Sequence, residues 1–179
     1  MNNAIGLVEL NSIARGIETC DFMIKASKVQ LLRACTICPG KYIVLVGGDV
    51  GDVRASMREG ISRAGETLVD TLLIPQVHQD LIPAISMTTQ VTELQAVGVL
   101  EYYSVASAIN GGDIAAKAAR VKLIEIRTGF AIGGKGFVTL TGDVGAVRAS
   151  IEAASNSSDL FVHSVVIPRP DKRLFETLL

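Results

Sequence analysis

The apolar and polar positions of this chain trace one order of elements, and then trace it again. Ile5 to Leu10 is a nearly unbroken apolar run of strand length. Ser12 follows as a helix N-cap. Ile13, Ile17, Cys20 and Ile24 then recur at i, i+4, i+7 and i+11, which predicts one buried helical face, with Arg15, Glu18, Asp21 and Lys25 on the others. Val29 to Ile37 and Lys41 to Val46 read as strands joined at a Pro39-Gly40 turn. Asp49 is placed to cap a second helix whose period runs Val50, Val53, Met57, Ile61 and Ala64. A fourth strand is predicted from Leu68 to Ile74, and a short helix near His78 to Ile82. Strands joined by a tight turn must be antiparallel, so the pattern predicts an α+β fold, an antiparallel sheet packed with helices.

The second half repeats the first. Ala4-Ile5-Gly6-Leu7-Val8-Glu9 returns as Ala96-Val97-Gly98-Val99-Leu100-Glu101. Gly48-Asp49-Val50-Gly51-Asp52-Val53 returns as Gly142-Asp143-Val144-Gly145-Ala146-Val147, and Ile74-Pro75 as Ile167-Pro168. Ser104 is the second cap, and Val105, Ile109, Gly112 and Ala116 form the second stripe. Two tandem units are expected, residues 1–90 and 91–179, with the seam in the polar stretch Ser86 to Gln95. The copies slip once: the segment from Thr128 to Lys135 is two residues longer than the one from Thr36 to Lys41. Loops absorb such insertions.

Composition adds a need for partners. Hydrophobic residues make up 49% of the chain, charged residues 20%, and mean hydropathy is +0.40. The apolar mass is aliphatic, since there is no Trp. Two small domains bury a modest fraction of their surface, so the excess implies surface for other subunits. A net charge of −1 without a basic tract argues against nucleic acid. No apolar run approaches the ~18 residues of a membrane span, and no signal peptide is expected. Three cysteines predict a reducing cytosol and no disulfide framework. With only His78 and His163, histidine-based catalysis has little to work with, and no nucleophile–base–acid set is apparent, so no enzyme activity is expected from that chemistry.

The copies differ most where one carries Cys38-Pro39-Gly40-Lys41 and the other Ile132-Gly133-Gly134-Lys135. Taken alone, Cys38 reads as a small hydrophobe at a strand end. Cys35 and Cys38 also spell C-x-x-C, a dithiol redox motif. Such motifs usually open a helix, whereas a strand follows here, and residues three apart in a strand point to opposite faces. Cys20 falls on an apolar stripe and reads as core. Gly133-Gly134-Lys135-Gly136 resembles a phosphate cradle, but again a strand follows, which favours a plain hairpin turn. Lys25 and Lys117 each stand four residues after an Asp, the spacing of an ion pair on a helix face.

These motifs together are similar to the bacterial microcompartment shell domain. The residues that carry the resemblance are Asp21 to Ala26 and Asp113 to Ala118 (Asp-x-x-x-Lys-Ala), Gly133 to Lys135, Gly48 to Val53, Gly142 to Val147, and Ile167-Pro168-Arg169-Pro170. Two such domains resemble the tandem class, which forms trimers shaped like a hexamer. Within it, Thr36-Ile37-Cys38-Pro39-Gly40-Lys41 resembles the propanediol-utilisation kind with an iron–sulfur pore. The resemblance implies a structural tile, not an enzyme, in a microcompartment shell in the cytoplasm. It implies a homotrimer with one [4Fe-4S] cluster in its central pore, held by Cys38 of each chain, for electron transfer across the shell. Pro39, Gly40, Gly133 and Gly134 would line the pore. Lys25, Lys117 and Arg169 would meet other shell proteins at tile edges, and a redox enzyme in the lumen would be a further partner. The first copy has Gln76-Val77 in place of Arg169-Pro170, so the two kinds of edge are expected to differ. Two alternatives stand beside this: a metal-free tile whose pore passes small metabolites, and a dithiol oxidoreductase using Cys35 and Cys38.

Overall fold

The computed structural model describes residues 4–174. The chain divides into two compact units, one holding residues 4–77 with Gly129–Gly134, the other His78–Thr128 and the chain from Lys135 onward. The first is built around β1 (Ala4–Leu10), in which every residue is buried. It pairs antiparallel with β3 (Lys41–Gly48) on one side and β4 (Leu68–Ile74) on the other, and β2 (Gln30–Ile37) closes the order β2-β3-β1-β4. Burial on both faces explains why β1 is an unbroken apolar run rather than an alternating one. Ala4, Val8 and Leu10 form a core with Val44 and Val46 of β3 and with Cys20, Met23, Val53 and Met57 of the helices α1 (Ile13–Ala26) and α2 (Val50–Ala64).

Ser12 caps α1 as expected, accepting from the Arg15 N–H at 3.3 Å. The predicted stripe of α1 is corrected. Its buried residues are Gly16, Thr19, Cys20 and Met23, whereas Ile13, Ile17 and Ile24 are 39%, 56% and 40% exposed. The physical reason is close approach. Gly16 lies against the Tyr42 ring, where a Cβ would come within 2.5 Å, so the helix meets the sheet through its small residues. On α2, Val53, Met57 and Ala64 are buried, but Gly60 replaces Ile61, which is exposed. Asp49 and Asp143 occupy the N-cap positions, yet neither side chain makes a cap hydrogen bond.

The second unit repeats this with β5 (Ala96–Tyr102) between β7 (Gly136–Gly142) and β8 (Phe161–Ile167), in the order β6-β7-β5-β8, β6 being Val121–Thr128. Ser104 caps α4 (Val105–Ala118) at 2.9 Å from the Ser107 N–H, and here the predicted residues Val105, Ile109, Gly112 and Ala116 are all buried. In each unit a buried serine ties the long helices together: Ser56 of α2 donates to the Met23 carbonyl at 2.9 Å, and Ser150 of α5 (Val144–Ser155) to the Ala115 carbonyl at 2.8 Å. The short helix α3 (Leu81–Ile85) packs on α4 and β6.

Candidate functional site

The register of β2 and β3 runs to Ile37 opposite Lys41, which leaves Cys38-Pro39-Gly40 as the connection. The Gly40 N–H donates to the Ile37 carbonyl at 3.1 Å, and its φ of +89° is open to glycine. Gly129–Gly134 lies against this turn within the same compact unit. The Cys38 N–H donates to the Gly129 carbonyl at 3.2 Å. Gly134, at φ +77°, fits against the Cys38 carbonyl so closely that a Cβ there would stand 2.2 Å from the oxygen and 2.9 Å from Pro39 Cδ.

Lys41 ties the two segments from below. Its ammonium pairs with the Glu9 carboxylate, which is fully buried, and also donates to the Gly134 carbonyl at 3.1 Å. Register puts Glu9 opposite Ile43, so Lys41, two residues from Ile43, takes the diagonal position on the same face. The equivalent pair in the second unit, Lys135 with Glu101, has both side chains about 40% exposed and 3.1 Å apart.

The tip of the site is open. Cys38 is a free, half-buried thiol, and Pro39, Gly40 and Gly133 are exposed. A Cβ at Gly40 or Gly133 would meet nothing within 4 Å. Phe130 on the same loop is 78% exposed. The structure therefore brings Cys38, Pro39 and Gly134 into contact, with Gly40 and Gly133 facing open space. Sequence reasoning missed Lys41, Glu9 and Phe130. The signal for the first two was a Glu inside an apolar strand with a Lys at matching register in both copies.

Cys35 lies in β2 opposite Ile43 and is also free. Burial, and secondarily the neighbouring Asp21, raise the thiol pKa of Cys20, as suits a core residue. Of the expected edge residues, Lys25 pairs with Asp21 on an exposed helix face. Lys117 pairs with Asp113, whose buried carboxylate also accepts the His78 N–H at 2.9 Å. Arg169 is exposed just beyond β8.

Three thiolates suit a [4Fe–4S] cluster. Among the described residues of one chain, no three His, Cys, Asp or Glu side chains converge to hold a metal. A single chain thus brings one thiol to this turn, Cys38, with open space at the neighbouring Gly40 and Gly133. That donor set fits a cluster only where symmetry multiplies it.

Similarity to known proteins places the fold. A family profile described as the BMC domain matches residues 4–77 and again 96–170. The chain is 43% identical to the bacterial microcompartment shell protein PduT of Citrobacter freundii, over 100% of this chain and 99% of that one. It is 33% identical over 87 residues to the carboxysome shell protein CsoS1A of Hydrogenovibrio crunogenus, covering 47% of this chain and 91% of that one. The crystal structure of a microcompartment protein from Desulfitobacterium hafniense DCB superposes with a TM-score of 0.88 at 48% identity, over 97% of this chain and 98% of that one. No helix among the described residues is long and apolar enough to cross a membrane. Against such relatives the dithiol oxidoreductase reading gives way, because this family is structural rather than enzymatic. The chain belongs to the BMC-domain family and is a bacterial microcompartment shell protein with two such domains in tandem.

Proposed function

We propose that the chain is a shell tile that assembles as a homotrimer around a central pore, where Cys38 of each chain holds one [4Fe-4S] cluster per trimer for electron transfer across the shell. The repeats of residues 1–90 and 91–179 would each supply one sector of the tile. The observation that carries this reading is the pairing of the two unlike loops. The Cys38 turn, present only in the first repeat, is seated on Gly134 of the loop that stands in its place in the second. Three copies around one axis give three such loop pairs, and three thiolates at no further cost in sequence.

Bound there, the cluster would supply one-electron transfer, and its fourth iron would take a ligand from outside the three cysteines. The chain's own residues do the rest. Cys38 ligates. Pro39, Gly40, Gly133 and Gly134 line the pore, and the open space beside Gly40 and Gly133 leaves room for close approach of symmetry mates. Lys41 holds the loop pair at fixed spacing through Glu9 and the Gly134 carbonyl. Lys25, Lys117 and Arg169 face other shell proteins at the tile edges, and a redox enzyme in the lumen is the electron partner.

The test is iron and acid-labile sulfide analysis of anaerobically reconstituted protein, with electron paramagnetic resonance after reduction. The reading expects a cluster signal in the wild type and its loss in Cys38→Ser. Wild-type protein without iron would instead favour a metal-free tile whose pore passes small metabolites.

A further inference from the structure

The loop that seats the Cys38 turn carries a side chain that the seating does not use. With Ile132-Gly133-Gly134-Lys135 set against Cys38-Pro39-Gly40-Lys41, the two residues by which the second copy is longer fall within Gly129-Phe130-Ala131. Phe130 is more exposed than any other large apolar side chain among the described residues. Backbone contacts fix its place from both ends of the loop. Gly129, the residue before it, accepts the Cys38 N–H at 3.2 Å, and Gly134 packs on the Cys38 carbonyl. Residues 130–133 thus leave and return beside Cys38. Gly129, Ala131, Gly133 and Gly134 have φ of +82°, +59°, +66° and +77°, and Ala131 holds that conformation without being a glycine, at a cost in strain. A lone apolar residue on a surface needs no explanation. An exposed aromatic ring held one residue from the partner of the turn's thiol-bearing residue does.

A protein tunes an iron–sulfur cluster through net charge, hydrogen bonds to the sulfurs and exclusion of water. The first two are already committed at this turn. The Lys41 ammonium is balanced by the buried Glu9 carboxylate. The Cys38 and Gly40 N–H groups donate to the Gly129 and Ile37 carbonyls, and Pro39 has no N–H. Exclusion of water is the means that remains, and a large apolar ring beside the ligating residue supplies it.

We propose that Phe130 of each chain covers the cluster held by Cys38 and keeps water off it. This rests on the cluster reading and names the residue that sets the cluster's exposure. The sign of the effect follows from charge. Three thiolates make the site anionic, and one added electron makes it more so, with no bond broken and no proton moved. Water stabilises the more highly charged form better than an apolar surround does. Phe130 therefore lowers the reduction potential, and its removal raises it. The same cover slows the loss of iron to a chelator in solution.

The test compares the wild type, Phe130→Ala and Phe130→Leu as anaerobically reconstituted full-length proteins, with far-UV circular dichroism as the check on folding. One measure is the reduction potential, from a dithionite titration followed by electron paramagnetic resonance. The other is the rate at which EDTA bleaches the cluster's visible absorption without oxygen. Phe130→Ala is expected to show a higher potential and several-fold faster bleaching with an unchanged dichroism spectrum, and Phe130→Leu, which keeps an apolar cover, to stay close to wild type. A Phe130→Ala protein that matches wild type in either measure, or a Phe130→Leu protein as altered as Phe130→Ala, overturns the role of Phe130 and leaves the cluster reading standing. A Phe130→Ala protein that assembles no cluster also overturns it, because Phe130 would then build the site rather than cover it. Wild-type protein that assembles no cluster overturns both.

Discussion

Gly134→Ala probes the seat of the Cys38 turn. At φ +77° an alanine costs about 1–2 kcal/mol in backbone strain. The added Cβ would also fall 2.2 Å from the Cys38 carbonyl oxygen, a distance no non-bonded carbon tolerates, and the neighbour is backbone rather than a flexible side-chain end. The loop must therefore lift away. Doing so releases the hydrogen bond from the Cys38 N–H to Gly129, worth about 1 kcal/mol, and that from the Lys41 ammonium to the Gly134 carbonyl, worth about 1.5–3 kcal/mol because the donor is charged. The lift also caps the loss, since a displaced loop no longer clashes. We expect about 3–5 kcal/mol of destabilisation and faster alkylation of Cys38. Gly133→Ala is the control: its φ is +66° but a Cβ there meets nothing, so only the strain of about 1–2 kcal/mol applies. Urea denaturation of both variants, with the slope checked against wild type, gives the comparison. Equal losses in the two variants would refute the reasoning, because the contact with Cys38 would then contribute nothing.

Other consequences follow from the same geometry. Lys41→Met leaves the buried Glu9 carboxylate without its cation and should cost about 3–5 kcal/mol, whereas Lys135→Met, in a half-exposed pair, should cost under about 1 kcal/mol by thermal denaturation. Ser56→Ala and Ser150→Ala each remove one cross-helix hydrogen bond and should each cost about 1 kcal/mol, so a large difference between them would show that the two units are not held alike. Burial raises the Cys20 pKa, so this thiol stays protonated to higher pH than an ordinary one. In an iodoacetamide time course on metal-free protein at pH about 8 it should be modified well after Cys38, and equal rates by peptide mass spectrometry would contradict the assignment.

The order of elements along the chain and the two serine caps were legible because each rests on a local rule: apolar runs of strand length, tight turns, and a hydroxyl one residue before a helical period. The repeat made the reading firmer, since the first strand, the starts of both long helices and the closing Ile-Pro were each seen twice. The buried face of α1 was not legible. Its helix carries two usable stripes, one of large aliphatics and one of Gly16, Thr19, Cys20 and Met23, and periodicity ranks the larger side chains first. The sheet took the small stripe because Tyr42 needs the space over Gly16. Residue type places Asp49 and Asp143 at the N-caps, where the structure has them, but the missing side-chain cap hydrogen bonds could not be read from residue type. At the site, Cys38 stood out as a residue present in one copy only. Its contact with Gly134 did not, because the longer loop looked like a tolerated insertion, and contacts between segments so distant in sequence leave no periodic trace. The Glu9–Lys41 pair lay in plain view as a charge inside an apolar strand, and only the register of β1 and β3 gives it meaning.

The central claim is that three copies of this chain place three Cys38 thiolates around one cluster. Native mass spectrometry of anaerobically reconstituted protein tests both parts at once. The account predicts a trimer carrying the added mass of one four-iron, four-sulfide cluster, and a Cys38→Ser trimer without it. A wild-type trimer with no added mass would contradict the metal site, and a monomer or dimer would contradict the symmetry on which that site depends.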